Sequence, residues 1–275
     1  MTVDAHHHLW RLDRGHYGWI TPELEAIRRD FLPPDLAPLL AEAGVRRTVL
    51  VQAAPAEQDT DFMLEIADAV PMVGAVVGWT DLRASDAPRR LEARAQRAKF
   101  RGVRPMLQDD GDASWIVEGS AAPALEALER LGLSFDALVR TPQLPVVAAL
   151  ADRRPHLPIV VDHAAKPPIA SGDLGFWRAL IADTARRPNV WCKLSGLLTE
   201  AGSQTTDEAL APVVEHLLAV FGPERLMWGS DWPVLNLASG YSDWLAKARR
   251  LVPAEAHGAV FEATAARFYR LDGAA

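Results

Sequence analysis

Eight apolar runs rich in β-branched residues recur along the 275-residue chain, at about 3–8, 47–54, 73–82, 100–107, 133–140, 157–165, 190–197 and 225–233. Between them lie stretches of helical spacing and helix-forming composition, for example 59–69, 87–98, 121–131, 145–152, 173–187 and 207–221. Regular alternation of this kind predicts parallel strands joined by right-handed helical crossovers. Eight such units in a chain not far above the usual length of about 250 residues fit an α/β fold closed into a (β/α)8 barrel of the TIM type. An open doubly wound sheet is the alternative. No Gly-x-Gly-x-x-Gly follows the first run and no Gly-Lys-Ser/Thr loop occurs, so no nucleotide cofactor is expected.

No low-complexity linker divides the chain, and one barrel domain over residues 1–275 is expected. Leu32-Pro33-Pro34 and Lys166-Pro167-Pro168 are isolated punctuation. An inserted region at about 11–34 follows the first strand, and its segment 16–34 is expected to form an active-site loop, a small extra helix, or both. Two helices at 241–251 and 253–269 fill the C-terminal region of about 241–270, the last packing the barrel closed.

Apolar residues at 49% and charged residues at 24% suit a soluble chain with ample core. A net charge of -7 argues against nucleic acid as a partner, and no apolar run approaches the roughly 20 residues of a membrane span. The single Cys192 permits no internal disulfide, and no basic stretch leads into an apolar one at the amino terminus. The cytoplasm is the expected compartment. The sequence leaves monomer and homo-oligomer equally open.

In such barrels the chemistry sits at the carboxyl ends of the strands. There this chain offers His6 and His8, Gln52, Trp79 and Asp81, Arg104 and Gln108, Asp136 and Arg140, Asp162, His163 and Lys166, Lys193 and Ser195, then Ser230, Asp231 and Trp232. Strands buried on both faces are normally apolar, and charge at their ends is costly unless paired or used. Alternation turns His6 and His8 to one side and His7 to the other. Together with His163 and Asp231 they supply the nitrogen and oxygen donors that a zinc-type ion accepts, with room for water. Cys192 lies on the face opposite Lys193 and reads as core, and no Gly-x-Ser-x-Gly elbow supports a serine nucleophile.

The segments Asp4-Ala5-His6-His7-His8-Leu9-Trp10, Arg101 to Asp109, Leu133 to Asp136, Val161 to Pro167, Cys192 to Leu197 and Met227 to Pro233 span essentially the whole chain. In their order and placement the chain resembles the amidohydrolase superfamily, in particular its amidohydrolase-related group of sugar-lactone hydrolases, which includes L-fuconolactonase, L-rhamnonolactonase and 2-pyrone-4,6-dicarboxylate lactonase. The resemblance implies an amidohydrolase-like barrel that opens a small polar lactone to the hydroxy acid. Asp231 would take a proton from water, while His6, His8 and His163 hold a metal or polarise the carbonyl. Arg104, Gln108, Lys166 and Lys193 would orient hydroxyl or carboxylate groups, and Trp10, Trp79 and Trp232 would wall a sugar ring. Metal-loaded members of the superfamily often carry a carboxylated lysine or glutamate on strand four and a further histidine on strand five. Here the fourth run reads Gly102-Val103-Arg104-Pro105 and the fifth has no histidine, so at most one divalent ion, zinc first, is expected. Two rival functions remain at this point: metal-dependent decarboxylation of an unsaturated or aromatic acid, and non-catalytic binding of a sugar acid.

Overall fold

A computed structural model describes residues 2–271, so Met1 and residues 272–275 of the expected 1–275 domain lie outside the described residues. Eight parallel strands follow one another around a single sheet: β1 (Thr2–His7), β2 (Val45–Val51), β3 (Val73–Gly78), β4 (Phe100–Val103), β5 (Ser134–Ala137), β6 (Ile159–Val161), β7 (Val190–Leu194) and β8 (Leu226–Trp228). The seam between β8 and β1 is bridged at its upper end, where His8 N donates to Trp232 O at 2.7 Å and Asp231 N to His6 O at 2.7 Å. The result is the (β/α)8 barrel expected from the alternation of runs.

The helical periodicity is matched by helices at Glu57–Ala69, Ala87–Ala95, Ala122–Leu131, Leu144–Arg153, Gly175–Ala185, Asp207–Phe221 and Tyr241–Leu251. The helix Pro33–Ala43 leads into β2; it opens on prolines, which suit a first turn, and stops at Gly44 with a φ of 66°. The inserted region carries two single 3-10 turns, Leu12–Arg14 and Glu25–Ile27, and folds back so that Trp10 and Phe31 pair through their backbones. Asp59 pins this region down. Its buried carboxylate accepts Tyr17 OH at 2.6 Å and the amides of Ala53 and Ala54 at 3.0 and 3.2 Å.

The expected last helix, 253–269, is present in three pieces: a 3-10 turn at Ala254–Ala256, a π segment at Ala259–Ala263 and an α turn at Thr264–Phe268. Its Ala265 and Tyr269 pack against Val3, Val49, Val77 and Met227, capping the apolar interior of the barrel. The main apolar layer lies between sheet and helices.

All eight sequence-based runs extend past the ends of their strands, and in the sixth and eighth the excess contains left-handed non-glycine residues. The sixth run, read as 157–165, is a strand only to Val161; His163, Ala164, Ala165 and Lys166 then take φ values of 52°, 51°, 58° and 55°. Four consecutive non-glycine residues in the left-handed region each carry a steric cost of about 1–2 kcal/mol. Lys166 N to His163 O at 2.8 Å, Trp177 Nε1 to Ala164 O at 2.8 Å and Thr141 Oγ1 to Ala165 O at 3.1 Å hold the turn. The eighth run, read as 225–233, likewise ends at Trp228, and Asp231 has a φ of 59°.

Gly229 lies where the seam is tightest: a Cβ there would stand 2.7 Å from His6 Cβ and 3.0 Å from His6 N. Gly229→Ala is expected to cost about 1–3 kcal/mol. Chemical denaturation measures it, and an unchanged midpoint would show that the seam is not tight there.

Candidate active site

At the carboxyl end of β1, His6 and His8 turn their rings together, Nε2 to Nε2 at 3.2 Å, while His7 Nε2 pairs with Thr48 Oγ1 at 2.9 Å on the other side. Strict alternation would also put Asp4 with His6. A register shift between Asp4 and His7 separates them: Asp4 meets Ser230 and Tyr241 at the seam, and His6 meets Lys193 in the barrel. Asp231 Oδ1 faces His8 Nε2 at 3.3 Å, His6 Nε2 at 3.7 Å and His163 Nε2 at 3.8 Å. The four groups expected to meet do so, in one buried cluster.

Each outer ring is held by its other nitrogen. His8 Nδ1 lies 2.8 Å from Val51 O, a pure acceptor, so that nitrogen carries a proton, and Nε2 is turned towards Asp231. His163 Nδ1 lies 2.8 Å from Ser195 Oγ, and Gly196 leaves room for that ring, since a Cβ there would stand 2.7 Å from it. Burial pushes His163 down to about 4, against the pull of Asp231 and Asp162, so the imidazole is neutral near pH 7. Burial also lowers His6, and the Lys193 ammonium lowers it further. Asp231 is the ionised member of the cluster: burial opposes its charge, but the neighbouring histidines outweigh burial and hold it well below the usual carboxylate range.

Beneath His6 lies a fully buried charge network. Lys193 Nζ stands 2.7 Å from Asp136 Oδ2, 2.9 Å from Asp162 Oδ1 and 3.1 Å from His6 Nδ1. Tyr269 OH and Ser134 Oγ also donate to Asp136, at 2.6 and 2.9 Å. Burial opposes charge on both carboxylates. At Asp162 the Lys193 ammonium, with His6 and Arg104, prevails and holds the group far below its ordinary range; at Asp136 burial prevails and pushes it up.

Above the cluster opens a cavity of about 220 Å³, lined by His8, His163, Asp231, Arg104, Gln108 and Lys166 among others. Arg104 is oriented by exchange with Gln52: its Nη2 donates to Gln52 O, and Gln52 Nε2 donates to Arg104 O at 2.8 Å. Three of the expected ring-orienting residues are therefore at the cavity. Lys193 is not; it is wholly buried below His6, so its ammonium is spent on two carboxylates and an imidazole. Trp10 and Trp232 also fail to reach the cavity. Trp10 packs against Phe31 and donates to Arg29 O at 2.8 Å, and Trp232 packs edge-on against the same Phe31. Trp79 lines a neighbouring cavity instead.

The aromatic wall is supplied by Trp19, from the inserted region, whose indole donates to Ala53 O at 2.8 Å. Glu200 and Thr199 join it from the short helix Leu197–Glu200 after β7, and Glu200 Oε1 stands 3.6 Å from Lys166 Nζ. Counting residues beyond the strand ends, into the loops that follow, would have reached all three.

A sequence profile described as amidohydrolase matches residues 3–271. The chain belongs to this family. As an amidohydrolase it is similar to the L-fucono-1,5-lactonase of Burkholderia ambifaria, 46% identical over 98% of this chain and 96% of that protein. It is also similar to the L-fucono-1,5-lactonase of Burkholderia multivorans, at 36% over 98% and 96%. A crystal structure of an amidohydrolase from Burkholderia multivorans with bound zinc superimposes with a TM-score of 0.93 at 36% identity, covering 98% of this chain and 99% of that one.

The donor set suits a divalent ion. One atom each from His6, His163 and Asp231 lies within 4.8 Å of the others, and His8 Nε2 stands beside them. A tetrahedral zinc with bonds of about 2.0–2.1 Å has ligand-to-ligand edges of about 3.3–3.4 Å. The separations of 3.2–3.8 Å around His6 and Asp231 bracket that value.

Lys193→Met removes the cation between two buried carboxylates and is expected to cost about 3–5 kcal/mol. Combined with Asp136→Asn, the cost should fall clearly below the sum of the two single changes, as urea denaturation of all three variants would show. Strict additivity would mean that the two groups do not interact.

Proposed function

We propose that this amidohydrolase opens a sugar 1,5-lactone, an L-fuconolactone or a close stereochemical relative, to the open hydroxy acid. The observation that carries this reading is the ionised Asp231 facing His6, His8 and His163 on the floor of a cavity that also presents Arg104 and Lys166. The two L-fucono-1,5-lactonases similar over nearly the whole chain support the substrate class. The cleaved bond is then a carboxylic ester, and the whole chain serves as one catalytic barrel domain.

Hydrolysis of an ester ring requires an activated water, charge to receive the carbonyl oxygen, and a proton for the departing ring oxygen. Asp231 Oδ1 takes a proton from a water held against His8 Nε2 as that water adds to the carbonyl carbon. Arg104 and Lys166 supply fixed positive charge for the oxygen that becomes anionic, and Gln108 orients a ring hydroxyl. When the ring C–O bond breaks, the proton on Asp231 passes to the departing oxygen, with His163 beside it. His6 forms the base of the cluster and transmits the position of the Lys193 network to it. A divalent ion, zinc first, would be held by His6, His163 and Asp231 with His8 alongside, and would supply positive charge that polarises the carbonyl and makes water more acidic.

Purified protein should acidify weakly buffered L-fucono-1,5-lactone and stereochemically related 1,5-lactones faster than their spontaneous opening. Asp231→Asn should lower kcat by about 10²–10⁴-fold with an unchanged denaturation midpoint. Undiminished turnover in that variant would overturn the assignment of the base. Elemental analysis should find no more than one divalent ion per chain, falling in His163→Ala; two ions per chain would contradict a single site.

A further inference from the structure

Beside the catalytic cavity lies a second one, larger at about 460 Å³, which the proposed chemistry leaves unused. The two share Trp19, Met106 and Asp109, so a molecule in one is a single side chain away from the other. The second cavity is bounded by three indoles, Trp19, Trp79 and Trp115, and by the carboxylates of Asp81, Asp109 and Asp110. Two of these groups are fixed in place. Trp115 Nε1 donates to Asp110 Oδ2 at 2.8 Å, and the Arg83 guanidinium lies 4.9 Å from the Trp115 ring centre. The Asp81 carboxylate accepts the amide of Arg83 at 3.0 Å and faces its guanidinium at 3.7 Å.

Flat indoles beside carboxylates match one ligand chemistry well. A pyranose offers apolar C–H faces that stack on aromatic rings and a rim of hydroxyls that donate to carboxylate oxygens. A simple cation fits less well, because Arg83 lies within the same wall and already offsets Asp81. An anion meets three aspartates. A neutral polyhydroxylated ring is favoured by all of these groups together.

We propose that the second cavity is a glycosyl subsite, so that the protein accepts lactones carrying a second sugar ring: the reacting lactone sits over Asp231 and the attached ring rests among Trp19, Trp79 and Trp115. This rests on the lactonase reading of the first cavity. The bond between the two rings passes Met106 and Asp109, and only the lactone ester is hydrolysed. The substrate class is therefore the 1,5-lactones of disaccharide acids, which an oxidation at the reducing end of a disaccharide would supply.

The test compares the 1,5-lactones of monosaccharide acids with those of disaccharide acids linked through position 3, 4 or 6, using wild-type protein and the variants Trp115→Ala and Asp81→Asn. Wild-type protein should hydrolyse at least one disaccharide lactone with a kcat/KM no lower than that of the matching monosaccharide lactone. Trp115→Ala should lower kcat/KM on that disaccharide lactone by about three- to tenfold, the range of one aromatic contact, while changing the monosaccharide value less than twofold. Asp81→Asn should act in the same selective direction. Turnover of monosaccharide lactones with no disaccharide lactone accepted would overturn the subsite and leave the lactonase reading standing. Equal losses on both substrate types in Trp115→Ala would also overturn it. If no sugar lactone of either type is hydrolysed, the lactonase reading itself fails.

Discussion

Beside the two backbone bonds at its upper end, the β1–β8 seam is tied by one buried carboxylate. Asp4 accepts Ser230 N at 2.8 Å, Ser230 Oγ at 2.6 Å, Tyr241 OH at 2.8 Å and His6 N at 3.1 Å. These donors come from β1 itself, from the turn after β8 and from the helix Tyr241–Leu251, so one side chain ties the first strand to the last. Burial pushes its carboxyl up to about 6 even against these bonds, which measures how strongly the position resists charge. The arrangement persists because each lone pair has a donor. It also has a catalytic consequence. His6 and Asp231 come from opposite ends of the chain, and their separation of 3.7 Å is fixed by how Asp4 and Gly229 draw the two strands together.

A second constraint works from below. Lys193, Asp136, Asp162 and Arg104 place two cations and two anions in an interior with no exposure to speak of. Such a group costs desolvation energy that its internal attraction only partly returns, and an apolar replacement of similar shape would serve stability as well. What the network provides is placement. Lys193 has three donors and meets three acceptors, so neither its position nor that of His6 Nδ1 is free to drift. The C-terminal segment takes part through Tyr269, whose hydroxyl reaches Asp136 from the capped end of the barrel, so the last helix both seals the core and holds the platform under the site.

Much of this was legible in the sequence because it depends on period and order. The alternation of runs gave the barrel, and the two-residue step from His6 to His8 gave their shared side. The convergence of His163 and Asp231 with them followed from strand ends meeting at one face. The remainder depends on the direction of a side chain or the path of a loop, which periodicity does not encode. Lys193 stands at a strand end in the sequence, yet it points down the barrel, because Asp136 and Asp162 lie there. Trp10 and Trp232 flank the catalytic residues in sequence but turn to Phe31, since the inserted region folds back and offers an aromatic partner. Trp19 was hidden inside that region, which the sequence marked only as a loop or small helix.

The left-handed turns carry the most specific physical reading of the site. A regular strand extended to residue 165 would alternate its side chains between barrel and helix layer, and His163 would have to share a face with Val161. By turning left-handed directly after Asp162, the chain leaves Asp162 in the buried network and lifts His163 to the cavity within a single residue. Asp231 repeats the device after β8, at a φ of 59°. Both residues pay a conformational cost that only a densely bonded surrounding sustains, and both have one: Ser195, Thr141 and Trp177 around the first, the backbone of His6 and the ring of His8 around the second. Apart from Arg270 near the C-terminal end, the left-handed non-glycine residues among those described lie in these two turns, where a polar group must leave the strand and enter the cavity, and the regular barrel beneath bears their strain.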